Sequence, residues 1–175
     1  MKCKIVVLLT LLQGLAFSAD HESAGPVETA VNKALESLDG AGVCDYLSAT
    51  MIRGKALLEG YVTEPSLRIE AEKAARRVSG VVEVIDRIRV LPSGSEAKRL
   101  CREEYNALMA EDRLRQYLEG PHPRIHIVAH DGVMELFGSV NTDSENTLAN
   151  VYALDGPDSG PLINRIRVLH PMARE

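Results

Sequence analysis

The stretch Val84-Ile85-Asp86-Arg87-Ile88-Arg89-Val90-Leu91 recurs almost unchanged as Leu162-Ile163-Asn164-Arg165-Ile166-Arg167-Val168-Leu169. Six of the eight pairs are identical, at a constant offset of 78 residues. The same offset aligns identical residues elsewhere without a gap: Gly54 with Gly132, Leu58 with Leu136, Gly60 with Gly138, Val62 with Val140 and Ala71 with Ala149. Such a self-match predicts two copies of one small folding unit.

Each copy carries the same order of predicted elements. A helical apolar pattern is followed by alternating residues that reverse at Arg53-Gly54 in the first copy and at Asp131-Gly132 in the second, which is typical of a β-hairpin. A second helix then begins near Pro65 in the first copy, and in the second copy Thr142 and Glu145 predict a capping box. A last strand completes an αββαβ unit.

The order of elements also predicts how the strands pair. The β-α-β crossover favours parallel strands, whereas the hairpin is antiparallel. The predicted fold class is α+β, with two αββαβ units that each form a three-stranded mixed sheet packed by two helices. The units are predicted at 26–92 and 105–171, joined by a linker and helix at 93–104, and that helix is expected to run from Glu96 to Leu118.

The first 18 residues have the pattern of a cleaved export signal. Lys2 and Lys4 precede an apolar run at 5–12, and small residues surround a cleavage site after Ser18. The run is too short to span a bilayer. Cys3 precedes the run and is not placed to carry the lipid of a lipoprotein. We therefore predict a soluble exported protein that is not lipid-anchored.

Composition excludes some classes of function. The chain carries 20 Lys and Arg against 25 Asp and Glu, has no Trp, and is 4% aromatic. Nucleic acid is therefore not an expected partner, because its binding needs a basic surface or stacking aromatic rings. The sequence contains no Gly-x-Ser-x-Gly, Walker, His-Glu-x-x-His or Cys-x-x-Cys motif, so we expect neither enzymatic activity nor a cofactor.

Two kinds of residue raise further chemistry. Cys44 and Cys101 stay in the predicted mature chain, and in an oxidising compartment they either form a disulfide or remain as two thiols; both readings are open. His126 and His130 would share one face of a strand, but residues four apart on a strand lie about 13 Å from each other, too far to share one ion. No metal site is expected.

The pattern Arg53-Gly54, Leu58-x-Gly60-x-Val62 and Val78-Ser79-Gly80-Val81-x-x-Val84-Ile85-Asp86-Arg87-Ile88-Arg89-Val90 resembles the BON domain, named for bacterial osmotically inducible and nodulation proteins. The resemblance covers about residues 26–92 and 105–171, although Gly156-Pro157-Asp158 departs from it in the second copy. A signal peptide before tandem BON domains resembles the OsmY-like periplasmic proteins.

This resemblance implies a non-enzymatic periplasmic protein. Such a protein supports cell-envelope integrity or osmotic-stress tolerance by attaching to anionic phospholipid or other envelope components. The alternative is a protein-interaction or chaperone-like module that self-associates or binds envelope proteins, because each unit has a core of only about 65 residues, a size that is marginal alone.

Candidate lipid-binding residues lie on the second helix of the first unit: Arg68, Lys73, Arg76 and Arg77. Each cation near an anionic leaflet contributes about 1 kcal/mol. The alternative is a solvated helix with internal pairs such as Glu70 with Lys73. The corresponding helix of the second unit has no Lys or Arg before Leu154, so the first unit is favoured.

Five glycines are predicted to have structural roles. They are Gly54 and Gly132 in the hairpin turns, Gly60 and Gly138 within strands, and Gly80 at a helix end. We expect the turn glycines to adopt positive φ, and the strand glycines to let a helix approach the sheet closely.

Overall fold

The computed structural model describes residues 25–92, 95–156 and 160–170. We call residues 25–92 the first unit and the remaining described residues the second unit. The predicted signal peptide, residues 1–18, lies outside the described residues. The first unit contains α1 (Pro26–Glu36), β1 (Tyr46–Ile52), β2 (Lys55–Val62), α2 (Pro65–Arg77), β3 (Glu83–Asp86) and β4 (Arg89–Val90). The second contains α3 (Ser95–Met109), α4 (Asp112–Leu118), β5 (Ile125–His130), β6 (Val133–Val140), α5 (Asp143–Leu154), β7 (Leu162–Asn164) and β8 (Arg167–Val168).

Each unit is built on one mixed sheet. In the first unit β1 pairs antiparallel with β2, and both β3 and β4 pair parallel with β2. In the second unit β5, β6, β7 and β8 repeat this arrangement. The predicted α+β class is confirmed, as are the antiparallel hairpin and the parallel crossover.

The single last strand predicted for each unit is wrong. A side-chain oxygen interrupts it in both units, since Asp86 Oδ1 accepts a hydrogen bond from the Ile88 amide at 2.8 Å and Asn164 Oδ1 accepts one from the Ile166 amide at 2.9 Å. Asp and Asn side chains compete in this way with the strand ladder. Each sheet therefore has four strands, with the last two in line on the same side of the central strand.

The single helix predicted from Glu96 to Leu118 is also wrong. Glu111 has an extended backbone, with φ −97° and ψ 113°, and its side chain accepts a hydrogen bond from the Arg113 amide, so α4 begins anew. The second unit thus has three helices where two were predicted. Within α3, Cys101 and Leu108 are buried in the second core, and Cys101 belongs to the predicted linker.

The two cores lie between each sheet and its own helices. In the first unit Leu35 of α1, Leu58 of β2 and Ala71 of α2 belong to one buried cluster. In the second unit Leu114 of α4 and Leu136 of β6 belong to another. Because strand side chains alternate between faces, the remaining strand residues point away from these helices.

Glycines shape both hairpins. Arg53 and Gly54 have φ of 51° and 80°, and the corresponding positions in the second unit, Asp131 and Gly132, have 50° and 75°. Positive φ at both positions is what a type I′ hairpin turn requires. This prediction is confirmed in both units.

The expectation for the two strand glycines needs a correction. Gly60 and Gly138 have φ of 132° and 111°, which disfavours any other residue. The backbone that a β carbon would overlap is that of the neighbouring strand segment, at Tyr46 and Arg124, and not that of a helix. These glycines therefore permit a close approach between strands.

The outer edge of β1 is covered by side chains of α1. The side-chain nitrogen of Asn32 donates to the Ala49 carbonyl, and the side-chain oxygen of Asn32 accepts from the backbone amide of Ala49, both at 2.8 Å. The Glu28 carboxylate accepts from the backbone amide of Met51 at 2.7 Å. Pairing an edge strand in this manner removes a template for further strand addition.

Candidate functional site: a basic surface on the first unit

The four predicted lipid-binding residues all lie on the solvent side of α2. The buried stripe of this helix consists of Leu67, Ala71 and Ala75. The four cations are exposed outside that stripe: Arg68, Lys73, Arg76 and Arg77. The structure therefore places all four on one accessible helix, although their binding role remains a prediction.

Three of these cations already have carboxylate partners within the molecule. Arg68 contacts Asp86 at 2.6 Å, and the other two contact residues of their own helix, Lys73 with Glu70 at 2.9 Å and Arg76 with Glu72 at 2.5 Å. The hydrogen bond from Lys73 lowers the pKa of Glu70. The predicted intrahelical pairs are present, and exposed pairs of this kind add little stability.

Arg77 differs from the other three. Within the described residues it forms no ion pair closer than 4 Å, although its charge contributes to lowering the pKa of Glu70. The pairing of Arg68 with Asp86 was beyond sequence reasoning, because the two residues lie on different elements.

The corresponding helix of the second unit has a different surface. The offset of 78 residues places Val151, Leu154 and Asp155 where the first unit has Lys73, Arg76 and Arg77. Val151 is 48% exposed and Leu154 is 66% exposed. The outward side of α5 is therefore apolar and acidic, whereas that of α2 is basic.

A disulfide joins the two units. Cys44, just ahead of β1, is bonded to Cys101 in α3, with 6.0 Å between their Cα atoms. Next to it, the Val43 carbonyl accepts a hydrogen bond from the Ile127 amide of β5 at 2.7 Å. This loop of the first unit therefore contacts the β5 edge of the second sheet.

Aromatic rings form a second contact between the units. Tyr46 stacks on Phe137 with ring centroids 4.1 Å apart, and Tyr61 stacks on His130 at 4.4 Å. His126 lies 5.8 Å from the Tyr46 ring, and burial lowers its pKa. Within the described residues, no three His, Cys, Asp or Glu side chains are grouped to hold a metal ion.

Charged groups continue the contact beyond the rings. His130 Nε2 lies 2.7 Å from Glu135 Oε1, and Arg165 also contacts the Glu135 carboxylate. Burial would raise the pKa of Glu135, but the hydrogen bonds from Arg165 and His130 lower it. Arg89 of the first unit contacts Asp131 of the second at 2.8 Å.

Asp45 is a buried carboxylate that sequence reasoning did not single out. It accepts hydrogen bonds from the Gly42 amide at 2.9 Å, the Thr63 amide at 2.6 Å and the Thr63 hydroxyl at 2.9 Å. These bonds fix the loop that carries Cys44. They also occupy the Thr63 hydroxyl, and α2, whose N-cap residue is Glu64, has no side-chain cap.

Glu104 is a second buried acid that the sequence did not reveal. It is 1% exposed, and within the described residues its Oε1 has no hydrogen-bond partner. Burial raises its pKa to about 7. Its other oxygen lies against Gly156, where a β carbon would overlap it.

A cavity of 540 Å³ separates parts of the two units. Its lining includes Leu91 of the first unit and Leu100 and Val133 of the second, together with the Arg89–Asp131 ion pair. The cavity therefore belongs to the contact between the units.

In the described part of the chain, none of the helices has the length and apolar character needed to cross a membrane.

A family model described as the BON domain matches residues 24–92. The chain therefore contains a BON domain, which corresponds to the first unit and carries the basic surface of α2. No curated protein sequence matches the chain.

Two solved structures from Chlamydia trachomatis show a likeness to this chain. One is the C-terminal domain of CdsD, a structural protein of the type III secretion system, with 14% identity, a TM-score of 0.31, and coverage of 82% of this chain and 64% of that chain. A second CdsD structure has 11% identity and a TM-score of 0.27, and the match covers 82% of this chain and 91% of that one. The match thus spans less than two thirds of the first CdsD structure.

Proposed function

We propose that this is a non-enzymatic, exported periplasmic protein that attaches to anionic phospholipid and thereby supports the cell envelope under osmotic stress. A BON domain is typical of envelope-associated modules that bind phospholipid or protein. The observation that carries the lipid proposal is the exposed basic side of α2, within the matched BON domain.

The expected attachment is weak and electrostatic. Each cation near an anionic leaflet contributes about 1 kcal/mol, and this contribution falls with added salt. Glu70, Glu72 and Asp86 are paired with three of the four cations and reduce their effect. Binding should therefore need anionic lipid and weaken between low and physiological salt.

Co-sedimentation with liposomes tests this proposal. Mature protein is mixed with phosphatidylcholine vesicles, with or without phosphatidylglycerol and cardiolipin, at both salt concentrations. Arg76→Glu with Arg77→Glu should abolish binding to anionic vesicles. The matched control is Arg99→Glu with Arg102→Glu on exposed positions of α3, which changes the net charge equally and should have the smaller effect.

Absence of wild-type binding to anionic vesicles at low salt would contradict the proposal. Equal losses in the two double variants would show that net charge matters and that α2 is not a specific site.

A protein-binding role is the second candidate, favoured by Val151 and Leu154 on the exposed side of α5. Two apolar side chains one helical turn apart form a suitable contact for another copy or an envelope protein. Sedimentation velocity should then show a mass that rises with protein concentration and falls back in Val151→Ser with Leu154→Ser. A strict monomer would remove the self-association form of this proposal.

A further inference from the structure

The end of the β1–β2 hairpin exposes apolar side chains at one extremity of the first unit. We call Ile52–Lys55 together with Val82 the tip. Val82 is 86% exposed and Ile52 is 51% exposed, which makes Val82 the most exposed large hydrophobic residue in the described chain. Both residues lie at the same end of the sheet, and exposed apolar surface of this kind can mark a contact site.

The tip is held in place by the fold. The Val82 amide donates to the Gly54 carbonyl at 2.8 Å, and a Val82 methyl group lies 3.4 Å from the position of a β carbon on Gly54. Ile52 and Lys55 close the hairpin ladder as a register pair. These side chains are therefore exposed on a well-defined part of the sheet.

Positive charge accompanies the apolar groups. Arg53 occupies the turn itself, is exposed, and forms no ion pair within 4 Å among the described residues. Lys55 contacts Glu83 at 2.5 Å. Arg77, also without such a pair, ends α2 five residues before Val82 in the chain. The apolar side chains complement the acyl layer of an anionic leaflet, and the unpaired guanidinium of Arg53 complements its phosphates.

The second unit uses the same end of its sheet differently. The repeat offset places three tip positions opposite residues of the second unit: Ile52 opposite His130, Arg53 opposite Asp131 and Val82 opposite Gly160. His130 stacks on Tyr61 of the first unit, and Asp131 pairs with Arg89. Gly160 admits no side chain, because a β carbon would overlap a neighbouring backbone oxygen.

We infer that the tip of the first unit is the part of this protein that enters an anionic membrane surface. Ile52 and Val82 enter the boundary between head groups and acyl chains, and Arg53 contacts the lipid phosphates. The inference rests on the proposed phospholipid attachment and adds its location and orientation: the hairpin end leads, and the side of α2 provides the surrounding positive field. The equivalent end of the second unit lacks this apolar surface, because His130 stacks on Tyr61 and Asp131 pairs with Arg89 of the first unit.

Liposome binding of matched serine variants tests the location. Ile52→Ser with Val82→Ser removes the apolar tip without changing charge, and should weaken binding to phosphatidylglycerol vesicles about tenfold or more. Ile69→Ser is the control, because Ile69 is 54% exposed on α2. This control should bind within about twofold of wild type.

A single-tryptophan reporter provides a second readout that keeps the tip apolar. The chain has no Trp, so Val82→Trp and Leu154→Trp each introduce one reporter. With phosphatidylglycerol vesicles, the emission of Val82→Trp should shift to shorter wavelength and be quenched by brominated acyl chains. The emission of Leu154→Trp, on the second unit, should not change.

The outcomes separate this inference from the function on which it rests. Suppose that wild type binds, that the tip variant binds equally well, and that the emission of Val82→Trp is unchanged. The tip assignment is then overturned, whereas lipid attachment stands. Loss of binding in Ile69→Ser alone would place the membrane on the side of α2 and also overturn the tip. If wild type binds no anionic vesicle, both proposals fall.

Discussion

Replacing Glu104 with Gln should stabilise the protein in alkaline solution and leave its stability in acid almost unchanged. The carboxyl is 1% exposed, and burial raises its pKa from an ordinary 4.5 to about 7. A neutral amide of nearly the same shape avoids the need to ionise a group in the core of the second unit.

The size and sign of this effect follow from the two pKa values. The folded state holds the Glu104 proton more tightly than the unfolded state, so its contribution is complete below pH 4.5 and is lost as the pH rises through about 7. A pKa difference of this size corresponds to about 3 kcal/mol. Glu104→Gln should therefore exceed wild type by about 3 kcal/mol in the free energy of unfolding near pH 8.5.

Urea unfolding followed by circular dichroism, at intervals between about pH 4 and 8.5 with the disulfide intact, measures this difference. Subtracting the two curves removes the contributions of all other titrating groups. Glu103→Gln is the matched control, since Glu103 lies on the same helix and pairs with Arg99 near the surface. Parallel curves for wild type and Glu104→Gln would refute the reasoning, as would an equal gain in Glu103→Gln.

Three further changes test the fold. Replacing Cys44 and Cys101 with Ser removes a link across 57 residues and should cost about 4 kcal/mol in urea unfolding; a loss below about 1 kcal/mol would contradict the chain-entropy argument. Gly138→Ala should destabilise the protein by about 2 kcal/mol or more, because position 138 has a positive φ and a β carbon there would overlap the backbone of the neighbouring strand. Gly25→Ala is the control, since the space around Gly25 is open, and equal thermal midpoints of the two variants would count against this account. Thr142→Ala should cost about 1 kcal/mol by removing the capping box of α5, and an unchanged midpoint would show that the cap is dispensable.

The sequence was most informative where the signal is local. The Asp131-Gly132 turn, the capping box at Thr142 and the hairpin followed by a helix in both copies depend on residues close together in the chain, and the structure confirms each. The interruption of the last strand at Asp86 is also local, but it reflects competition between a side chain and the ladder, which apolar periodicity does not report.

The candidate site was predicted only in part. Four cations were assigned to one helix, and the structure leaves all four exposed on α2, while their role in binding stays a prediction. The pairing of Arg68 with Asp86 and the exposure of Val82 depend on how strands from distant parts of the chain are arranged. The sequence alone does not report the distances between residues on different elements.

The sequence by itself indicated two related units, each with a β-hairpin followed by a helix and a parallel crossover, and a difference in charge between the helices that follow the two hairpins. Only the tertiary structure decided that Cys44 reaches Cys101 and that Glu104 is buried with no partner for its Oε1 among the described residues. It also decided that one hairpin end contacts the other unit while its counterpart stays open. The reason is physical. Local patterns fix φ, ψ and the buried face of each element, whereas contacts between elements depend on packing that brings together residues far apart in the chain.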